Sequence, residues 1–311
     1  MRIAHISDLH LSHAFNKKLT GRVYKFLKYV SQRADHVVIT GDISDNAEEE
    51  DFILFREMLS RLGLLDGNKT SVVIGNHDIF GGVIKAEDIL NFPQRCRETD
   101  YQQKVGLFHS YIGELQTNCV YQGTSYGYPY AKLIEDSLII GVNSIAEYSS
   151  LRNPFASNGE ISDEQLTEIQ TIFKEYSKYC KTKIILVHHH FNKMRYMTGS
   201  FTERIWMNIE KQTMKLRKKK KILGIFKQNG VNLILHGHFH QMQTYTRKSI
   251  EIANAGASIR NAEGHFQFNL IDAENGSVSI SHKTKLIEIK KPQLLQIIAP
   301  AEKLTGKIAI A

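Results

Sequence analysis

The stretch HVVITGD, residues 36–42, is the clearest indication of the fold. Its apolar residues follow one another without alternation and stop at Gly41-Asp42, which is typical of a strand buried on both faces. Two other runs near the start of the chain are also predicted to be strands: SVVI (71–74), which has the same form, and RIAHIS (2–7), whose apolar residues alternate with polar ones and end abruptly. Apolar residues at helical spacing over 19–34 and 52–63 separate the three runs. This strand–helix–strand alternation indicates a parallel sheet covered by helices.

The same strand pattern returns later in the chain. KIILV (183–187) is predicted to be a strand that runs into three histidines, and VNLIL (231–235) to be a strand that reaches His236-Gly237-His238-Phe239-His240. Ser162, with Gln165 three residues later, forms a capping-box pattern that predicts a helix over 162–179. The remaining predicted strands are a pair around the turn at Glu135-Asp136 and several short strands between 241 and 284.

Length and composition fit one large α/β domain. The chain has 311 residues, of which 42% are hydrophobic and 23% charged, so it has the composition of a folded globular protein. We predict a domain over 1–284, a helical cap or lid within it at 84–118, and a C-terminal extension at 285–311. No apolar run approaches the ~20 residues needed to cross a bilayer. The opening MRIAHISDLHL lacks a signal-peptide core, so we expect a cytoplasmic protein.

Polar side chains suited to metal binding follow five of the predicted strands. They are Asp8 and His10, Asp42, Asn76 and His77, one or more of His188, His189 and His190, and His238 and His240. The carboxyl ends of the strands of an open α/β sheet are where ligands gather. Carboxylate, imidazole and amide oxygen suit manganese, iron or zinc. The three cysteines stand far apart, so neither a disulfide framework nor a thiolate metal site is expected.

The number of these side chains predicts two ions. One catalytic metal usually takes about three protein ligands, whereas two ions about 3.5–4 Å apart, with one bridging carboxylate, would use them all. Such a pair of ions can hold two oxygens of a phosphate and turn a bound water into hydroxide near neutral pH. The sequence therefore predicts hydrolysis of a phosphoester.

Taken in order, these motifs resemble the signature of the calcineurin-like metallophosphoesterase superfamily. The blocks are Asp8-x-His10, Gly41-Asp42, Gly75-Asn76-His77-Asp78, His188 and Gly237-His238-x-His240, and they span residues 8–240. The resemblance implies an α/β fold, a four-layer αββα sandwich with two mixed β-sheets. It also implies a dinuclear metal site at the carboxyl ends of the strands and the activity of a dinuclear metal-dependent phosphoric ester hydrolase.

The resemblance further implies a role for each matching residue. One ion would be held by Asp8, His10, Asp42 and His240. The other would be held by Asp42 as the bridging carboxylate, Asn76, His188 and His238. His77 would contact the phosphate and protonate the leaving group, and Asp78 would orient His77. Of the other two histidines in the triplet, His190 is expected to be a pocket wall or to lie behind a ligand, and His189 to be structural or to lie behind a ligand.

Several substrates are compatible with this signature. The chain looks most similar to class III cyclic nucleotide phosphodiesterases and their bacterial relatives, but His188-His189-His190-Phe191-Asn192 stands where those enzymes usually have His-His-Pro. A UDP-diacylglucosamine-type pyrophosphatase acting at the membrane surface is one alternative, and a nuclease is another. A binding or regulatory module with a degenerate site is disfavoured, because loss of catalysis usually removes a ligand and the ligand set here is complete.

A basic run could bring the chain to an anionic partner. The net charge is +8, and the densest basic block is KLRKKKK at 215–221, within a basic segment over 211–221. A solvated helix face is one interpretation of this run. The other is a patch that contacts anionic lipid or nucleic acid, in which case the protein would lie at the membrane periphery or on a phosphate backbone.

Overall fold

The computed structural model describes residues 1–13, 17–83, 88–192, 214–259 and 265–286. Within these ranges the chain forms two mixed β-sheets, which confirms the predicted α/β class. The strands are β1 Arg2–Ile6, β2 His36–Thr40, β3 Thr70–Val73, β4 Tyr121–Gly123, β5 Gly127–Ile134, β6 Ser137–Gly141, β7 Thr182–Leu186, β8 Leu233–His236, β9 Gln243–Arg247, β10 Ile250–Asn254, β11 His265–Glu274 and β12 Ser277–Leu286. The helices are α1 Lys17–Ser31, α2 Glu49–Arg61, α3 His77–Phe80, α4 Asp88–Glu98, α5 Tyr101–Ile112, α6 Asp163–Tyr176 and α7 Lys219–Gln228.

Each sheet combines a set of parallel strands with antiparallel strands, which lie at one end of the first sheet and at both ends of the second. The first sheet has the order β12-β11-β1-β2-β3, in which β1, β2 and β3 are parallel. The second has the order β4-β5-β6-β7-β8-β10-β9, in which β6, β7, β8 and β10 are parallel. The sequence predicted short strands after 241, but β11 and β12 are ten residues each and close through Asn275-Gly276, both at positive φ.

The apolar strands are continuous because both of their faces are buried. In β7, Ile184 and Leu186 belong to the apolar cluster that also contains the strands and helices of the first sheet, whereas Ile185 joins the cluster beneath α6 and α7. Side chains alternate between the two faces of a strand, so a strand covered on both sides needs an apolar residue at every position. The layers are therefore helices, sheet, sheet and helices, as the resemblance implied.

The segment predicted as a cap or lid contains α4, α5 and a 3₁₀ turn over Gly113–Gln116. Phe108 of α5 packs edge to face on Phe52 of α2 with ring centroids 5.5 Å apart. Arg56 of α2 donates two 2.8 Å hydrogen bonds to the Glu114 carboxylate. These contacts make α5 part of the packed helical layer. The lid role of the segment stays a prediction, and residues 84–87 lie outside the described ranges.

The N-terminus of α6 is tied to the end of β6. The Ser162 hydroxyl accepts a 3.2 Å hydrogen bond from the Gln165 backbone N–H, as the capping pattern predicted. The Gln165 side chain does not return the bond to Ser162. It accepts from the Asn143 N–H at 3.2 Å and donates to the Asn143 carbonyl at 2.9 Å. Asn143 lies just beyond the end of β6, where no neighbouring strand pairs with its backbone. The Gln165 side chain therefore satisfies the backbone N–H and C=O groups of Asn143.

Lys132, in the middle of β5, is a fully buried lysine. Its Nζ donates 2.8 Å hydrogen bonds to the carbonyls of Gly67 and Thr70, which lie just before β3 and at its start. Burial lowers the pKa of Lys132 to about 8. The unfolded chain therefore binds more protons than the folded one between about pH 8 and the ordinary lysine pKa of 10.5, and the stability contributed by this residue rises with pH across that window.

We expect the difference in unfolding free energy between the native chain and Lys132→Met to change with pH. Relative to the variant, the native chain should gain about 2 kcal/mol between pH 8 and pH 10.5, because the buried charge is progressively lost. Urea unfolding at several pH values measures this difference. Lys174→Met, at an exposed position of α6, is the control and should show no such trend. A pH-independent difference for Lys132→Met would contradict the prediction.

No helix in the described part of the chain is both long enough and apolar enough to span a membrane. The predicted extension at 285–311 begins within β12, which ends at Leu286, and residues 287–311 lie outside the described ranges.

Candidate metal centre

The turns that follow β1 and β2 run side by side at the carboxyl edge of the first sheet. The backbone N–H of Asp8 donates to the Gly41 carbonyl at 3.1 Å, and that of His10 donates to the Asp42 carbonyl at 3.0 Å. Asp8, His10 and Asp42 all have φ near +50°, a region that L-residues other than glycine seldom adopt. Strained backbone of this kind persists where the surroundings enforce it, and it is frequent at functional sites.

Asp8, His10 and His240 form one group of side chains able to bind a metal ion. The Nε2 of His240 lies 3.3 Å from Asp8 Oδ1, and the Nε2 of His10 lies 3.3 Å from that of His240. Asp8 and His10 are buried, whereas the His240 side chain is 54% exposed. Two imidazole nitrogens and a carboxylate oxygen thus converge at the edge of the sheet, with access to solvent from the side of His240.

Asp42, His188 and His238 form a second group, which is buried. The Nε2 of His188 lies 3.3 Å from Asp42 Oδ2 and 3.1 Å from Asn76 Oδ1. The other ring nitrogen of His188, Nδ1, donates to the Thr40 carbonyl at 2.7 Å. Because a carbonyl can only accept, this bond places a proton on Nδ1, and Nε2 is the ring nitrogen that faces Asp42 and Asn76.

Glycine allows the strands to approach each other around these groups. A Cβ atom on Gly75 would stand 2.2 Å from Asp42 Oδ1, and one on Gly237 would stand 2.4 Å from Asp8 Oδ2. Both distances are well inside van der Waals contact, so any larger residue would displace a carboxylate. The glycines of the GNHD and GHxH blocks are needed for close approach to the two aspartates.

His77 is held by Asp45, not by Asp78 as predicted. Its Nδ1 donates to the Asp45 carbonyl at 3.0 Å, and its backbone N–H donates to Asp42 Oδ1 at 2.9 Å. Asp78 accepts instead from the backbone N–H groups of Ser44 and Gly75, both at 2.8 Å. Successive residues of a helix point about 100° apart, so Asp78, the residue after His77 in α3, is turned toward the neighbouring loops.

Asp45 is the site residue that the sequence reasoning missed. Its carboxylate Oδ1 lies 3.1 Å from His10 Nδ1 and 3.8 Å from His77 Nδ1, so it stands between the two imidazoles. His10 and His77 are in edge-to-face contact with ring centroids 4.7 Å apart. The available signal was the position of Asp45, three residues after Asp42 in a turn at a strand end.

The donor set fits divalent metal ions. The carboxylates of Asp8 and Asp42 are almost wholly buried, which is costly for charged groups without a counter-ion. Burial opposes ionisation of Asp42, but the charges of His188 and His77 outweigh it and hold the pKa of this carboxyl well below its usual value. Among the described residues the buried Nε2 of His238 has no hydrogen-bond partner, which fits a nitrogen that would bind an ion.

Two of the remaining histidines at these strand ends, His189 and His236, have structural partners. The Nδ1 of His189 lies 2.8 Å from the Ser144 hydroxyl and its Nε2 lies 3.2 Å from the Ser157 carbonyl, so the ring links two loops beside His238. His236 is bonded through Nε2 to the Tyr245 hydroxyl at 2.8 Å. His190 is buried with an unpartnered Nε2.

Part of the basic run is neutralised by acidic residues. Arg217 lies 3.3 Å from the Glu160 carboxylate, and Lys218 and Lys221 lie 3.0 Å and 2.7 Å from that of Asp163. These pairs lie at the surface beside the N-terminus of α6. They favour the solvated-face interpretation for this half of the run, and residues 211–213 of the segment lie outside the described ranges.

The chain is a two-sheet α/β sandwich with buried carboxylates and imidazoles at its strand ends, which makes it a candidate metal-binding protein. The family model described as calcineurin-like phosphoesterase matches residues 1–242, and the chain belongs to this family. The family assignment supports metal-dependent hydrolysis of phosphoesters as its chemistry. A search of curated protein sequences finds no significant match.

Solved structures support the same fold. A dimetal phosphatase from Danio rerio superposes with a TM-score of 0.57 at 11% identity, covering 92% of this chain and 98% of that one. A purple acid phosphatase from yellow lupin (Lupinus luteus) seeds superposes with a TM-score of 0.53 at 12% identity, covering 98% of this chain and 57% of that one. At these identities the similarity establishes the fold alone.

Proposed function

We propose that the chain hydrolyses a phosphodiester or phosphomonoester at a centre that holds two divalent metal ions, manganese, iron or zinc. The observation that carries the proposal is the pair of side-chain groups at the strand ends, each with its ligand atoms within 4.8 Å of one another. Asp8, His10 and His240 would hold one ion. His188 and His238, with the Asn76 oxygen beside them, would hold the other, and Asp42 would be shared. When bound, the ions would supply an activated water and neutralise charge on the phosphate.

His77 would act on the leaving group. The bond from Nδ1 to the Asp45 carbonyl keeps the proton on that nitrogen, so Nε2 is the atom that gains and loses a proton. The side chain is 25% exposed and stands beside His10, so a phosphoester at the centre would be within its reach. A protonated Nε2 donates to the oxygen of the departing alcohol, as a general acid does. Asp45 would orient the ring and stabilise its charge.

A panel of substrates tests this proposal. Protein stripped with a chelator should be inactive, and manganese should restore hydrolysis of bis-p-nitrophenyl phosphate. The panel then compares cyclic nucleotides, a UDP-linked lipid, DNA and phosphomonoesters, which represent the candidate substrate classes. Hydrolysis of DNA would favour the nuclease, and hydrolysis of the UDP-linked lipid, together with binding to anionic liposomes, would favour the membrane-surface pyrophosphatase. A metal-loaded protein inert toward the whole panel would contradict the proposed function.

A further inference from the structure

The unpaired half of the basic run lies at the N-terminus of α7. Lys219 and Lys220 begin this ten-residue helix, and Lys215 precedes it in the same turn region. The first turn has no acidic residue, and Lys218 before it is in the left-handed region with no side-chain cap. The N-terminus of a helix carries partial positive charge, so cations placed there are unfavourable without an anion.

A second element brings another cation to the same place. Arg247 lies at the end of β9, opposite Ile250 in the β9–β10 hairpin. Tyr245, two residues earlier on the same face, packs against the apolar cluster beneath α7. At the hairpin turn, the Nζ of Lys248 donates to the Lys220 carbonyl at 3.1 Å. The hairpin is therefore docked on the start of α7.

Lys219 is the inner member of this group. Its Nζ donates to the Asn192 carbonyl at 3.0 Å, and no carboxylate in the described ranges forms an ion pair with Lys215, Lys219 or Arg247. Burial and the neighbouring charges of Arg247 and Lys215 lower the pKa of Lys219 to about 8. Three cations with no counter-charge in the described part of the chain form a site that an anion would stabilise.

A buried nitrogen of His190, between the basic group and the metal centre, is a further candidate to bind an anion. His190 is only 3% exposed, and its Nε2 has no hydrogen-bond partner among the residues that the structure describes. The two residues that follow His190 bond to this group, since the Phe191 N–H donates to the Tyr245 hydroxyl at 3.1 Å and the Asn192 carbonyl accepts from Lys219. The His190 ring also lies 6.2 Å from the ring of Phe239, the residue between His238 and His240. His190 thus connects the basic group to the strand ends where the proposed ligands lie.

We propose that Lys215, Lys219, Arg247 and the Nε2 of His190 bind a second phosphate group of the substrate while the metal centre holds the phosphate that is hydrolysed. The inference rests on the proposed phosphoesterase function and narrows it to esters that carry two phosphate groups. Helix α7 connects β7 to the parallel strand β8, so its N-terminus lies at the same carboxyl edge as the metal centre.

The kinetic test uses a matched pair of chromogenic esters, thymidine 5′-(p-nitrophenyl phosphate) with and without a 3′-phosphate. On the manganese-loaded protein we expect kcat/KM to be at least about 10-fold higher for the ester with the 3′-phosphate, because charge-assisted hydrogen bonds are lost without it. Arg247→Gln should bring the ratio of the two values close to one. Lys227→Gln, an exposed lysine of the same helix, should retain the native ratio. A native ratio near one, or one that Arg247→Gln leaves unchanged, would overturn the proposal.

A binding measurement separates this inference from the catalytic one. Titration calorimetry of metal-stripped protein with inorganic phosphate at low salt should detect an affinity that Arg247→Gln weakens at least about fivefold and Lys227→Gln does not. Thermal melting of both variants verifies that they are folded. Arg247-dependent phosphate binding in a protein that hydrolyses no ester would retain the anion site and reject the proposed function. Phosphate binding that is absent or indifferent to Arg247 would reject the anion site.

Discussion

Replacing Asp42 with asparagine is expected to abolish activity and to lower the bound metal from two ions to at most one per chain. Asparagine keeps the shape and the oxygen that accepts from the His77 N–H, but it removes the negative charge that faces His188 and that both ions would share. We expect kcat/KM on bis-p-nitrophenyl phosphate to fall by about 1,000-fold or more, since several kcal/mol of charge stabilisation are lost. Elemental analysis of the purified protein gives the metal content.

The control for Asp42→Asn is the same change at an acidic residue outside the centre. Asp163→Asn, which removes only exposed ion pairs with Lys218 and Lys221, should keep full metal content and activity. Comparable melting temperatures of the metal-free proteins would verify that both variants are folded. An Asp42→Asn protein with two bound ions and native activity would reject the proposed centre.

Replacing His77 with glutamine should lower kcat without removing metal. The proposed role of His77 is to protonate the leaving group, a contribution of typically about 100- to 10,000-fold. The loss should be large for an ester with an alkyl leaving group and much smaller for one that releases p-nitrophenolate, because a stable anion departs without a proton. Steady-state kinetics on the two esters, with metal analysis, measure both effects.

His109→Gln on α5 is the matched control for His77→Gln, because it exchanges the same side chains away from the centre. It should leave both esters unaffected. Equal losses on the alkyl and p-nitrophenyl esters in His77→Gln would contradict the leaving-group role and indicate that His77 contributes to substrate binding alone.

Local patterns were sufficient for most of the fold. The run HVVIT predicted a strand over 36–40, and β2 occupies those residues. Such runs can be recognised in the sequence because a strand covered on both faces is apolar at every position, and this pattern involves only residues that are neighbours in the chain. The lengths of β11 and β12 could not be predicted in this way, since exposed polar residues, such as Lys283 and Lys285 of β12, interrupt the apolar pattern.

The candidate metal-binding residues could also be predicted from the sequence, because the turn after each strand places its polar residues at one edge of the sheet. What the sequence could not give was the partner of each side chain. Asp78 is adjacent to His77 in the chain, yet Asp45 supplies the contact, since helix geometry turns Asp78 away. The partner depends on which loops come into contact, and the Asp45 carbonyl in the loop after β2 accepts hydrogen bonds from His77 and from the Gly82 N–H just after α3.

By itself, the sequence determined the order of strands and helices, the membership of the family signature and the set of candidate ligands, all of which depend on neighbours in the chain. Only the tertiary structure decided which basic residues are neutralised. Glu160 and Asp163 meet Arg217, Lys218 and Lys221, while Lys219 is left beside Arg247. The reason is physical: electrostatic interactions depend on distances in space, and these groups, far apart in sequence, are brought together only by the packing of α6, α7 and the β9–β10 hairpin.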